Sequence, residues 1–152
     1  GVLQHDLLAQ DDPRALLGLA PGQVLYKLAG AAVAPAWRGQ GLQRQLIARR
    51  VAWAGDAALF ATAAPGNVPS WRSLLACGFA VRALQYRYGG HARYLLARLP
   101  GAALAHRAPA RELAQDDIPG QEALLAQGWQ GIAPGQAPGS LRLVAPAGGG
   151  QP

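Results

Sequence analysis

Apolar residues fall in short runs punctuated by glycine and proline, and the spacing within each run predicts an element. "QVLYKLAGAAV", Gln23 to Val33, is apolar and closed by turn residues at both ends, the pattern of a buried strand. From Gly41 to Ala54, Leu42, Leu46, Ile47, Val51 and Ala54 recur at helical spacing with Gln43, Arg44, Arg49 and Arg50 on the other face, which predicts an amphipathic helix. "AALFATAA", Ala57 to Ala64, predicts a strand ended by Pro65-Gly66, and Ser70 to Ala76 a short helix stopped by Gly78. "FAVRALQYRY" and "ARYLLARL", joined across Gly89-Gly90, predict a hairpin.

In front of these, Asp12 as N-cap, Pro13, and Leu16, Leu17 and Leu19 before a Pro-Gly stop predict at most one short helix. Beyond Pro100, "GAALAHRAPAREL" reads as loop, Asp117-Ile118-Pro119 opens a helix ending at Gly128, "SLRLV" makes a further strand, and "APAGGGQP" is expected to be disordered. No internal repeat stands out. Strand, helix and strand with short links imply a right-handed crossover between parallel strands, and the hairpin adds antiparallel ones. The fold class expected is therefore α/β (α+β) with a mixed sheet, residues 1–100 forming the core and residues 101–152 a C-terminal extension.

The length of 152 residues suits one domain. A net charge of +6 is carried by arginine except for the lone Lys27, which fits either polyanion binding or the codon bias of a GC-rich genome. A nucleic-acid module would show steeply salt-dependent binding, but these arginines are scattered and not interleaved with aromatics, so no nucleic acid is expected as partner. Cys77 is the only cysteine, which excludes an internal disulfide framework and a multi-cysteine zinc site. No metal is expected, and a reducing cytoplasm fits. No apolar run approaches the roughly 20 residues of a membrane span, and the first residues lack a signal-peptide pattern, so no membrane partner is expected. No methionine occurs anywhere in the sequence.

The chemistry is concentrated where the first strand meets the first helix, in "VAPAWRGQGLQRQLIARR", Val33 to Arg50. A helix beginning there leaves backbone N–H groups without internal partners, and its dipole adds partial positive charge. Gly39 and Gly41 let an anion approach the main chain, and Arg38 adds a permanent charge. A simple glycine turn explains the same residues equally well. A P-loop is excluded because Gly41 is followed by Leu42-Gln43, and the dinucleotide fingerprint needs another glycine spacing.

"VAPAWRGQGLQ" resembles the acetyl-CoA loop of the GNAT N-acetyltransferases, Arg/Gln-x-x-Gly-x-Gly/Ala preceded by Val-x-Pro. Val33, Pro35, Arg38 and Gly41 match, and Gln43 stands where a small residue is usual. "NVPSWRSLLACGF" is similar to the family's second signature through Asn67, Ser70, Gly78 and Phe79. "GLQRQLI", "YRYGGHARYLL" and "DIPGQEALLAQGWQG" resemble a bacterial branch, so the resemblance runs from Val24 to Gly131. It implies that the predicted strands Leu28–Ala34 and Ala58–Ala63 splay around acetyl-CoA as cosubstrate. The open edge near Val33 and Ala34 would take the pantetheine, and the N–H groups of Arg38, Gly39, Gln40, Gly41, Leu42 and Gln43 the pyrophosphate. Asn67 would bond the pantetheine or adenylate side with Ser70 nearby, although Asn67 also suits a helix-capping turn. Arg44 is the helix arginine best placed for a phosphate.

The implied reaction is attack of a neutral amine on the thioester, with much of the rate supplied by orientation. The acceptor would be an unidentified small-molecule or peptide amine. Catalytic residues stay unassigned: the position of the family's acid tyrosine is Leu74. Tyr26, Tyr86, Tyr88 and Tyr94 each fit a sheet aromatic, Glu112 and Glu122 are remote in sequence, and His91 fits a solvated turn. Cys77 has no histidine partner to make it a nucleophile. The family it resembles normally has several strands and two helices before this strand, whereas only about 30 residues precede Val33; the resemblance thus implies an N-terminally shortened domain, a fragment, or a homodimer in which a second copy completes the acceptor wall. A non-catalytic acyl-CoA binder or an inactive fragment is the rival reading.

Overall fold

Gln23-to-Val33 is strand only over its larger residues. In the computed structural model, which describes residues 1–102 and 109–147, β1 is Val2–Gln4 and β2 is Leu25–Gly30. The expected strand stops at Gly30 because Gly30 to Ala32 have almost no side chain to bury, and all three are exposed. Ala31 to Ala34 are irregular and lead into a 3₁₀ turn, Pro35–Trp37. The helix α1, Leu42–Ala54, then crosses to β3, Ala58–Ala63, and α2, Val68–Ala76, leads to the hairpin of β4, Ala80–Arg87, and β5, His91–Arg98. The predicted front helix is absent: Asp12 accepts the Arg14 N–H at 3.0 Å and pairs with the Arg14 guanidinium at 2.6 Å, which fixes a run of turns instead.

After Pro100 come β6, Ala110–Ala114, α3, Ile118–Ala126, β7, Gln130–Pro134, and β8, Ser140–Val144. The stretch "AREL" expected as loop is thus part of β6, and β7 was not foreseen. The expected disorder at the C-terminal end falls, from residue 148 onward, outside the described residues. All strands join one sheet in the order β1-β2-β3-β5-β4-β7-β8-β6. β2 and β3 are the parallel pair, and β3-β5, β5-β4, β4-β7, β7-β8 and β8-β6 are antiparallel.

One face of the sheet carries the helices over a core that includes Leu59, Trp71, Leu74, Phe79, Tyr94 and Leu96. Burying each large side chain of this kind contributes about 1.5–3 kcal/mol. The indole N–H of Trp71 donates to the Pro65 carbonyl at 2.9 Å, so its burial leaves no polar atom unpaired. On the other face Leu7, Leu17 and Leu19 of the N-terminal segment pack on Leu25, Phe60 and Leu95. α1 is less embedded than its apolar spacing implies: only Ile47 is buried, and Trp53 is 68% exposed.

The topology contains a repeat that the sequence pattern did not reveal. β3-α2-β4-β5 and β6-α3-β7-β8 have the same element order and the same internal pairing, the first and second strands of each unit flanking its last strand, the hairpin's return. Pro69, Leu74, Leu75, Ala76 and Gly78 recur in step as Pro119, Leu124, Leu125, Ala126 and Gly128. The units meet at β4 and β7, where Val81 pairs with Gly131, its own counterpart. Both of these strands also slip register at the next residue, between Val81 and Ala83 and between Gly131 and Ala133. The match eluded periodicity because few side chains coincide and because β3 and β6 share almost none. Gly131 is required by the close approach at this seam: a Cβ there would stand 2.8 Å from Leu141 Cδ2 and 3.0 Å from Val81 Cβ.

Candidate functional site

The parallel pair holds together only from Leu25↔Ala58 to Lys27↔Phe60, and beyond that Leu28–Gly30 and Ala61–Ala63 run on without pairing to each other, held instead by β1 and β5. Arg50 of α1 fixes the diverging end, its guanidinium donating to the carbonyls of Gly30 at 3.2 Å and Val2 at 3.1 Å. A side chain expected to be merely solvated therefore holds the splayed strand. The gap is a chamber of about 240 Å³ whose lining includes Lys27, Thr62, Ser70, Leu74 and Tyr88.

Ala31 and Gln43 line this chamber and also a larger cavity of about 890 Å³ outside it. The larger cavity lies at the start of α1. Gly41, with φ 72°, is the N-cap, and no side chain caps the helix. The first helical acceptor bond runs from the Gln45 N–H to the Gly41 carbonyl at 3.1 Å. The N–H groups of Gly39 to Arg44 have no protein acceptor among the described residues. Gly39 and Gly41 both have positive φ, 78° and 72°, and a Cβ at either would touch no protein atom. Backbone conformation, not packing, is what demands glycine there. No acidic residue occupies the first turn of α1, so the partial positive charge of the helix start is unopposed.

Val33, Arg38, Gly39, Gly41, Leu42, Gln43 and Asn67 line this cavity, whereas Ser70 lines the inner chamber. Ala34 and Gln40 line neither. Arg38 is turned inward onto its own loop, its Nε donating to the Val33 carbonyl at 3.1 Å, which leaves the rest of its fork of donors uncommitted. Asn67 is the N-cap of α2 through its carbonyl, which accepts from the N–H groups of Ser70 at 3.1 Å and Trp71 at 3.3 Å, while its side chain makes no capping bond. Trp37, Arg44, Pro69 and Ser73 also line the cavity. Of these only Arg44 was legible, because Trp37 and Ser73 reach the site through the turn and the α2 face.

Of the four phenols, Tyr88 alone lines the chamber. It stands after β4 at φ 53°, a left-handed conformation rare outside glycine, and is 69% exposed. Tyr94 is locked in the core, its hydroxyl donating to Gln121 Oε1 at 2.5 Å and its pKa pushed up to about 12 by burial. Tyr86 donates to Glu122 at 3.1 Å away from the chamber, and Tyr26 packs edge-on to Trp53. Leu74 is buried. Among the described residues, His91 lines neither cavity and no carboxylate lines the chamber. Cys77 is half-buried, with its Sγ 3.7 Å from the Arg44 carbonyl, and burial raises its thiol pKa. Among the described residues no group of three or more His, Cys, Asp or Glu is arranged to hold a metal, and no helix is long and apolar enough to cross a membrane.

No curated protein and no solved structure matches the chain. Residues 4–79, half of the sequence, match the Acetyltransferase (GNAT) family. That segment holds the splayed pair, the uncapped start of α1 and Asn67, and the mixed sheet around it is consistent with the family's fold. This chain belongs to the GNAT acetyltransferase family.

Proposed function

We propose that the protein is an acetyl-CoA-dependent N-acetyltransferase that passes the acetyl group directly to a primary amine. The observation that supports this best is the adjacency of the two cavities: unpaired main-chain donors at a helix start lie next to the gap between two splayed strands, with Ala31 and Gln43 lining both. The residues present fit the cosubstrate. The N–H groups of Gly39, Gly41, Leu42 and Gln43, with that of Gln40 between them in the same loop, would hold the pyrophosphate, and Arg38 and Arg44 would add charge. The uncommitted amide of Asn67 is a partner for the polar pantetheine or adenylate side, and the exposed face of Trp37 offers stacking surface. Ala34 contributes only by shaping the loop.

Acetyl-CoA brings an acyl group already activated as a thioester. The chain's part is to hold that arm along the unpaired edge of Leu28–Gly30, to direct backbone N–H groups at the oxygen that gains charge, and to exclude water. Tyr88 is the phenol positioned to give a proton to the departing sulfur. It also lines a second hollow with Gln10, Asp11 and Arg87, where an amine acceptor would meet it.

Thermal unfolding with CoA tests the binding: at a hundredfold excess over Kd, linkage adds about 2.7 kcal/mol of stability, and Arg38→Glu should abolish most of the shift. No shift with the unaltered chain refutes the proposal. The absence of a chamber carboxylate favours a second reading, an acyl-CoA binder without catalysis. Acetyl-CoA consumption with a panel of polyamines, aminoglycosides and peptide N-termini separates the two, since turnover that Arg38→Glu removes excludes the passive binder.

A further inference from the structure

Arg82 occupies the slipped position of β4, and its counterpart in the second unit, at the slipped position of β7, is Ile132. Ile132 is buried with Ala80 and Val144. The same backbone feature is thus satisfied by an aliphatic side chain, so the fold does not call for a cation there. Arg82 is nevertheless half-buried, and its Nε is shielded from solvent without an acceptor among the described residues. Among the described residues it forms no ion pair, and the segments outside them contain no Asp or Glu. A guanidinium in that condition is costly unless something supplies an acceptor.

What lies beside it is a cavity of about 450 Å³ at the seam, formed where β4 and β7 diverge after their single bridge at Val81 and Gly131. Leu16, Leu17, Leu125 and Trp129 give it apolar walls. Among the described residues Glu122 is the only carboxylate in the lining, and it accepts from Tyr86 at 3.1 Å. Its negative charge on the same wall disfavours a dianion, while the planar fork of Arg82 matches one carboxylate. None of these residues lines the cavities assigned to the acetyl donor.

We infer that the seam cavity is a second small-molecule site, which takes a monocarboxylate with an apolar body, its carboxylate on Arg82 and its body against Leu16, Leu17, Leu125 and Trp129. The inference is independent of catalysis and would hold in a chain that transfers nothing.

The test is titration of the full chain with phenylacetate, followed by amide and indole NMR shifts, with the neutral isostere 2-phenylethanol as control. Phenylacetate should perturb β4 around Arg82, α3 and the Trp129 indole, and should bind at least about tenfold more tightly than the alcohol, as a charge-assisted contact requires. Arg82→Ile, which copies the second unit, should abolish this preference without lowering the unfolding temperature. The inference is overturned if phenylacetate fails to bind, if the alcohol binds as well, if CoA displaces the acid, or if Arg82→Ile unfolds at a lower temperature than the parent chain.

Discussion

At the residue scale, burial and exposure separate the tyrosines by role. Tyr94 sits in the core, its phenolic proton committed to Gln121 and its pKa raised to about 12 by burial, so it stays protonated at neutral pH and is a poor acid. Tyr94→Phe should leave Gln121 Oε1 without its donor and cost about 1–3 kcal/mol in denaturant unfolding. Tyr88, exposed and facing the chamber, should behave in the opposite way. Tyr88→Phe is expected to leave the unfolding midpoint and the CoA-induced shift unchanged while lowering kcat by roughly 10²-fold, the lower end for a lost general acid. An unchanged kcat would remove Tyr88 from the reaction. The sequence shows four tyrosines in sheet-like surroundings, and nothing in their spacing distinguishes them. Only the turn that follows β4 brings one phenol back over the end of β3.

At the element scale, the β4-β7 seam depends on Gly131. Gly131→Val should destabilise the chain by about 1–3 kcal/mol or more, since Val81 and the buried Leu141 have no room to retreat. At the far edge, Glu112 of β6 accepts from the Ser140 hydroxyl and from the Ala137 N–H at 2.8 Å. Those bonds, the Ser140 hydroxyl first, hold its pKa below 4.5. A carboxyl whose folded pKa is depressed stabilises the fold fully above its unfolded value, and that contribution is lost as the pH falls through the folded one. The unfolding temperature of the parent chain should therefore drop more steeply below about pH 4.5 than that of Glu112→Gln, as calorimetry across pH 3–6 would show. The elements themselves were largely legible: β3 and β8 match their apolar runs, and α1 begins within a residue of the expected start. β6 and β7 were not, because their short, alanine- and charge-containing sequences gain strand character only by pairing with β8.

At the scale of the whole molecule, the two units share one core. Leu74, Phe79 and Val81 of the first lie in the same cluster as Leu124, Leu125, Leu141 and Leu143 of the second. They should unfold together, giving coincident transitions by fluorescence and far-UV circular dichroism, whereas two separated transitions would mean that the seam is weaker than its packing implies. The sequence by itself determined the mixed fold class, the glycine-rich start of α1 and the family signatures at Arg38–Gly41 and Asn67, because each rests on neighbours within one turn or strand. Tertiary structure decided the rest. The splay of β2 from β3, the Arg50 clamp, the facing of Tyr88 into the chamber and the seam beside Arg82 all depend on which strands lie next to one another. Hydrophobic periodicity records which face of an element is buried, but it carries no record of the neighbour that buries it.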